Sequence, residues 1–146
     1  YDVIVCAIDA LNYVTNWEEV IMTFQKVYQH LKPEGRFLFD VHSLEKMAIL
    51  YEESPFTYDD GDVTYIWETD AGSQTYEIIS RLLFYVKSKE GQFERFEEEH
   101  IQRTHEVANY ARALQETGFT IETITADFEW ESPHEESERI FFHVKK

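Results

Sequence analysis

Apolar side chains along the chain follow two rhythms, and the switches between them mark the elements. Tyr1–Ile8 (YDVIVCAI) is an almost unbroken apolar run rich in β-branched residues. Such a run predicts a strand covered on both faces, as in a parallel sheet. It starts at residue 1 with no lead-in, whereas chain ends usually lie at the surface, so a preceding portion in a longer protein is expected. Thr15 and Glu18 form a T-x-x-E capping box that opens a helix. Its apolar face is Trp17, Val20, Ile21, Phe24, Val27, Tyr28 and Leu31, at helical spacing. Pro33 stops the helix at Lys32, Gly35 releases the turn, and Arg36–His42 (RFLFDVH) reads as a second strand. Strand, helix and strand with short connections make a βαβ unit, whose right-handed crossover implies a parallel pair.

The pattern changes after residue 43. Residues 43–61 predict a short helix and then a loop. Val63–Asp70, Gln74–Lys87 and Gln92–Gln102 are strand-like and separated by the short turns Ala71-Gly72-Ser73 and Ser88–Gly91, the signature of antiparallel hairpins. Thr104 is placed to cap a helix with Val107, Tyr110, Ala111 and Leu114 on its apolar stripe and Gly118 at its end. Phe119–Phe128 and Glu138–Val144 are the last two strands, parted by the polar loop Glu129–Ser137.

Composition narrows the possibilities. The 146 residues carry 13 Lys+Arg against 29 Asp+Glu, a net charge of −16. Residues 1–50, 51–104 and 105–146 are each net acidic, which argues against nucleic acid as a partner, because phosphate binding draws on clustered Lys and Arg. Hydrophobic residues make up 43%, too many for a disordered acidic tail. No apolar run approaches the ~18 residues of a membrane span, so no membrane partner is expected. The lone cysteine, Cys6, cannot form an internal disulfide, in accord with a reducing, cytoplasmic setting. It lies mid-strand and is expected to be buried and inert.

The residues in this order resemble a known family. YDVIVCAIDALNYV, a helix, then LKPEGRFLFDVHS resemble the fourth and fifth strands of class I S-adenosylmethionine-dependent methyltransferases. HEVANYARALQETGFTIETITADF resembles that fold's next helix and strand, and ERIFFHVKK its closing antiparallel strand. The hairpins resemble the layer that small-molecule methyltransferases, sugar-amine dimethyltransferases among them, place over the active site. The resemblance implies an α/β chain, a partial Rossmann-like methyltransferase fold holding strands four to seven. Residues 1–146 would be one partial domain, with 62–103 an inserted antiparallel β layer. It also implies S-adenosylmethionine as cofactor and N or O of a small molecule as methyl acceptor. The family's glycine-rich cofactor loop has no counterpart here: there are five glycines, none in G-x-G spacing. The intact protein is thus expected to methylate, and residues 1–146 alone to be inactive.

Open α/β sheets bind ligands beyond the C-terminal ends of their parallel strands, and polar residues stand there. Asp9, Asn12 and Tyr13 follow the first strand; Asp40, His42 and Ser43 end the second. Asp9 and Asn12 are expected to line the cofactor cleft, or else to shape the loop as Asx residues do. Tyr13 and His42 are the catalytic candidates: an imidazole of ordinary pKa near ~6.5 suits base work, while the blander roles are a packing aromatic and a structural histidine. Asp40 is a substrate-binding candidate or a helix cap. In the third inserted strand Glu98, His100 and Gln102 share one face; His100 and Arg103 are substrate-binding candidates, against a solvated acidic strand with exposed ion pairs. No metal is expected: Asp59-Asp60-Gly61-Asp62 lacks the downstream Glu of a calcium loop, and His100 and His105 straddle a strand-to-helix break. Two alternatives to the enzyme stand. One is a non-enzymatic acidic binding or dimerisation module, with a homodimer possible in either case; the other is a tRNA methyltransferase, which the charge disfavours. Upstream sequence discriminates, since a strand ending in a G-x-G-like loop would support the enzyme.

Overall fold

The computed structural model describes residues 1–146 as two four-stranded sheets and three helices. The first sheet contains β1 (Val3–Cys6), β2 (Arg36–His42), β7 (Thr120–Ala126) and β8 (Arg139–Lys145), in the order β1-β2-β8-β7. β1 and β2 are parallel, Val3 opposite Arg36, and α1 (Trp17–His30) connects them. β8 enters between β2 and β7 and runs antiparallel to both. The parallel pair, the shared sheet and the antiparallel last strand all agree with the sequence reading.

α1 and α3 (Val107–Thr117) bury their apolar stripes against one face of this sheet. Val20 and Phe24 from α1 and Tyr110, Ala113 and Leu114 from α3 join Phe37, Phe39, Val41, Ile140, Phe142 and Val144 in one core. Phe39 stacks on Phe142 at 4.7 Å between centroids, with Phe24 tilted against Phe39. Trp17 and Tyr28 pack at the margin of this core. α3 ends at Gly118, whose φ of 112° is the left-handed conformation expected there.

The second sheet, β3-β4-β5-β6, is an antiparallel meander of β3 (Phe56–Asp59), β4 (Val63–Ala71), β5 (Glu77–Lys87) and β6 (Phe93–Arg103). α2 (Leu44–Glu52) packs on it through Met47 and Leu50 against Ile78, with Phe56 and Trp67 alongside.

The structure corrects several local expectations. β1 is shorter than the apolar run; within residues 1–146 Ile4 and Cys6 meet the core, while Val3 and Val5 are exposed. Cys6 is accordingly half-buried, its thiol pushed up by burial and by Asp40. The cap of α1 is Asn16, whose side chain accepts from the Glu19 amide at 3.2 Å, in place of Thr15. Thr104 caps nothing. It is fully buried and donates its hydroxyl to the His42 carbonyl at 2.5 Å, while Glu106 precedes α3 without a side-chain cap bond. β3 occupies part of the stretch read as loop, so the second sheet begins before residue 62.

Candidate functional site

The chain leaves β1 through two consecutive left-handed residues, Ile8 (φ 61°) and Asp9 (φ 46°), and enters a 3₁₀ turn, Ala10–Tyr13. Neither residue is glycine, and non-glycine residues hold such angles only where their surroundings enforce them. Asp40, at the adjacent end of β2, supplies the constraint. Its carboxylate accepts from the Ile8 amide at 2.7 Å and the Asp9 amide at 2.9 Å. Arg139, at the start of β8, then bridges the two acids, donating to Asp40 and, at 3.0 Å, to Asp9.

Asp9 is the hub. It accepts from Gln102 of β6 at 2.7 Å and lies 3.3 Å from Nε2 of His42. Burial pulls its carboxyl up, but the bonds from His42, Gln102 and Arg139 outweigh this and hold it far below the usual carboxylate range. Burial likewise works against the Arg139 charge, and Asp40 and Asp9 together raise its pKa. The buried Asp40 and the half-buried Asp9 share one guanidinium. With a backbone amide on each oxygen of Asp40 and Gln102 on the second oxygen of Asp9, this satisfies the requirement that buried charge be paired and hydrogen-bonded.

Asn12 is fully buried and uses both ends of its amide. Nδ2 donates to the Arg103 carbonyl at 2.8 Å, and Oδ1 accepts from the His42 amide at 2.9 Å. It therefore ties the second sheet to the end of β2. His42 is buried, and its Nδ1 has no partner within the chain. A pocket of about 360 Å³ opens beside it, lined by His42, Arg139, Lys46, Asp127 and Phe128 among others.

The candidates thus divide into three groups. Asp9, Asn12, Asp40 and His42 converge in one cluster. Tyr13 and His100 meet each other at its margin, phenol oxygen to Nδ1, at 3.0 Å. Arg103 stands apart: its guanidinium donates to the Thr15 and Thr75 carbonyls and to the Gln74 amide oxygen, so it clamps loops together and holds no carboxylate. The sequence reading missed Arg139 and gave Gln102 no role. An arginine opening a strand just before the apolar run Ile140–Phe142 was the available signal, but it points to Asp9 and Asp40 only once β8 is known to lie beside β2. No group of histidine, cysteine and carboxylate side chains is arranged to hold a metal ion.

An α/β sheet of this order, with polar residues gathered at the ends of its parallel strands and an antiparallel layer fastened over them, defines a Rossmann-like ligand-binding class. No protein-family model matches the chain. It is 42% identical over all 146 residues to YqeM of Bacillus subtilis (strain 168), a protein named as a candidate methyltransferase. The chain spans 59% of the length of the curated relatives it matches. Among solved structures it is similar to an S-adenosylmethionine-dependent methyltransferase of Clostridium acetobutylicum, with a TM-score of 0.91 and 28% identity, covering 99% of this chain and 58% of that one. It also shares a fold with CalS10 of Micromonospora echinaspora, an amino pentose methyltransferase solved with S-adenosylmethionine bound (TM-score 0.67, 12% identity, 99% and 58% covered). The resemblance read from the sequence holds: the chain has the fold of the S-adenosylmethionine-dependent methyltransferases, over somewhat more than half the length of its relatives. No helix is long and apolar enough to cross a membrane.

Proposed function

We propose that the full-length protein is a methyltransferase that moves the methyl group of S-adenosylmethionine to a nitrogen or oxygen of a small molecule. The observation that carries this reading is the fold shared with the Clostridium enzyme across nearly all of this chain. The polar cluster lies where open α/β sheets bind ligands, beyond the C-terminal ends of β1 and β2.

The side chains fit such a donor in a particular way. Asp9 and Asn12 are turned inward and fully engaged, so they shape the loop from within and leave its backbone and the exposed Ile8 side chain to face the donor. The donor supplies an electrophilic methyl on a sulfonium; the protein aligns the acceptor, excludes water and takes up a proton. The second sheet, fastened by Gln102 to Asp9 and by Asn12 to Arg103, covers the strand ends and supplies the acceptor side. The net charge of −16 favours small or cationic acceptors over RNA.

Transfer of labelled methyl from S-adenosylmethionine to the fractionated contents of a cell extract tests the reading. Label should appear in the small-molecule fraction. Label confined to RNA would overturn the acceptor class, and no transfer to any fraction would overturn the enzyme.

A further inference from the structure

The face of β6 that bears Glu98, His100 and Gln102 lies along the loop after β1. Gln102 meets Asp9, and two residues earlier His100 meets Tyr13, with their rings edge to face at 5.8 Å. His100 has a second partner: its Nε2 is 3.1 Å from the Glu98 carboxylate. A carboxylate only accepts, so the Glu98 contact assigns the proton to Nε2 and leaves Nδ1 to accept from the phenol. The result is a carboxylate, an imidazole and a hydroxyl in series, built from β6 and the 3₁₀ turn that follows β1.

We propose that Tyr13, His100 and Glu98 form a proton relay serving a methyl acceptor that bears N–H or O–H, with the Tyr13 hydroxyl touching the acceptor and His100 and Glu98 as positioning residues. This rests on the methyltransferase reading above. The acceptor's lone pair forms the new bond to carbon as the carbon–sulfur bond breaks, its electrons staying on sulfur. The acceptor's proton passes to the Tyr13 oxygen while the phenol proton moves to Nδ1 of His100, and Glu98 stabilises the imidazolium. The relay is open to water at its far end, where the Glu98 side chain is 57% exposed and that of His100 31%. The charged groups around the phenol are Asp9 and Glu98. Partial burial, aided by these two carboxylates, raises its pKa, so it stays a hydroxyl at neutral pH and acts by passing a proton on. Across β5, His100 faces Ser80, which is uncharged. Docking of the sheet does not need this chain, because Gln102 and Asn12 already hold β6.

Histidine ¹⁵N spectra and turnover of the full-length protein test it together. His100 should show the Nε2–H tautomer, and Tyr13→Phe should move its Nδ1 resonance by removing the phenol donor. With the small-molecule fraction of a cell extract as acceptor, Glu98→Gln should lower kcat by about 10-fold with KM little changed, because the imidazolium formed in the relay loses its carboxylate partner. Tyr13→Phe, which keeps the ring, should lower kcat by about 10²–10⁴-fold with Tm and S-adenosylhomocysteine affinity unchanged. Turnover with wild-type kcat in Tyr13→Phe or in Glu98→Gln would overturn the relay and leave the methyltransferase reading intact. Failure of the wild-type protein to bind S-adenosylhomocysteine would overturn both.

Discussion

Asn12 shows how a residue type visible in the sequence acquires a different role in the structure. Its place after a strand marks it as a loop-shaping or ligand-lining residue, and no pattern reveals that its amide reaches residues 30 and 91 positions away. Asn12→Ala would leave the buried His42 amide and the Arg103 carbonyl without partners. It should destabilise the protein by roughly 2–4 kcal/mol in denaturant melts; a loss under ~0.5 kcal/mol would mean that these bonds do not hold the two sheets together. His105 gives a pH test at the same scale. Its ring lies between Trp17 and Tyr110, and burial, aided by Arg103, lowers its pKa to about 4. Unfolded, the ring titrates near ~6.5. Between these values the unfolded chain binds a proton that the folded one refuses, so stability falls as pH drops through this window. His105→Phe keeps the stacking and should lose less stability than wild type between pH 6.5 and 4. Parallel stability curves for the two would show that His105 titrates normally.

At the scale of elements, hydrophobic periodicity served well wherever an element has one buried face. The stripes of α1 and α3 were legible for that reason, whereas β6, exposed along most of its length, was legible from its length and the short turn before it. β3 was not, because four residues after a proline give too short an alternation to separate strand from loop. The caps also misled: Thr15 and Asn16 are both good N-caps, and sequence alone does not choose between neighbours one residue apart. The register of α1 is nonetheless sharp. Phe24 is fully buried against Phe37 and Phe39, while Gln25 beside it is exposed. Phe24→Ala should cost about 3–5 kcal/mol and Gln25→Ala less than ~0.5 kcal/mol. Similar losses from both would place the wrong face of α1 against the sheet.

For the molecule as a whole, the order of elements was enough to read a parallel βαβ start, an inserted layer and an antiparallel close. The candidate site was only half legible. Its acids and histidines stand at strand ends, where topology alone directs attention, but Arg139 enters from the far end of the chain because β8 inserts beside β2. On the proposed function, the full-length protein binds a methyl donor. Asp9 and Asn12 are occupied inside the chain, and residues 1–146 hold no G-x-G loop, so most of the donor's contacts are expected from the remainder of the full-length protein. Isothermal titration of S-adenosylmethionine into the full-length protein tests this most directly. Saturable binding of one donor per chain at about micromolar Kd is expected, with no comparable binding by residues 1–146 alone; a full-length protein that gives no binding heat at millimolar donor would refute the methyl-donor reading.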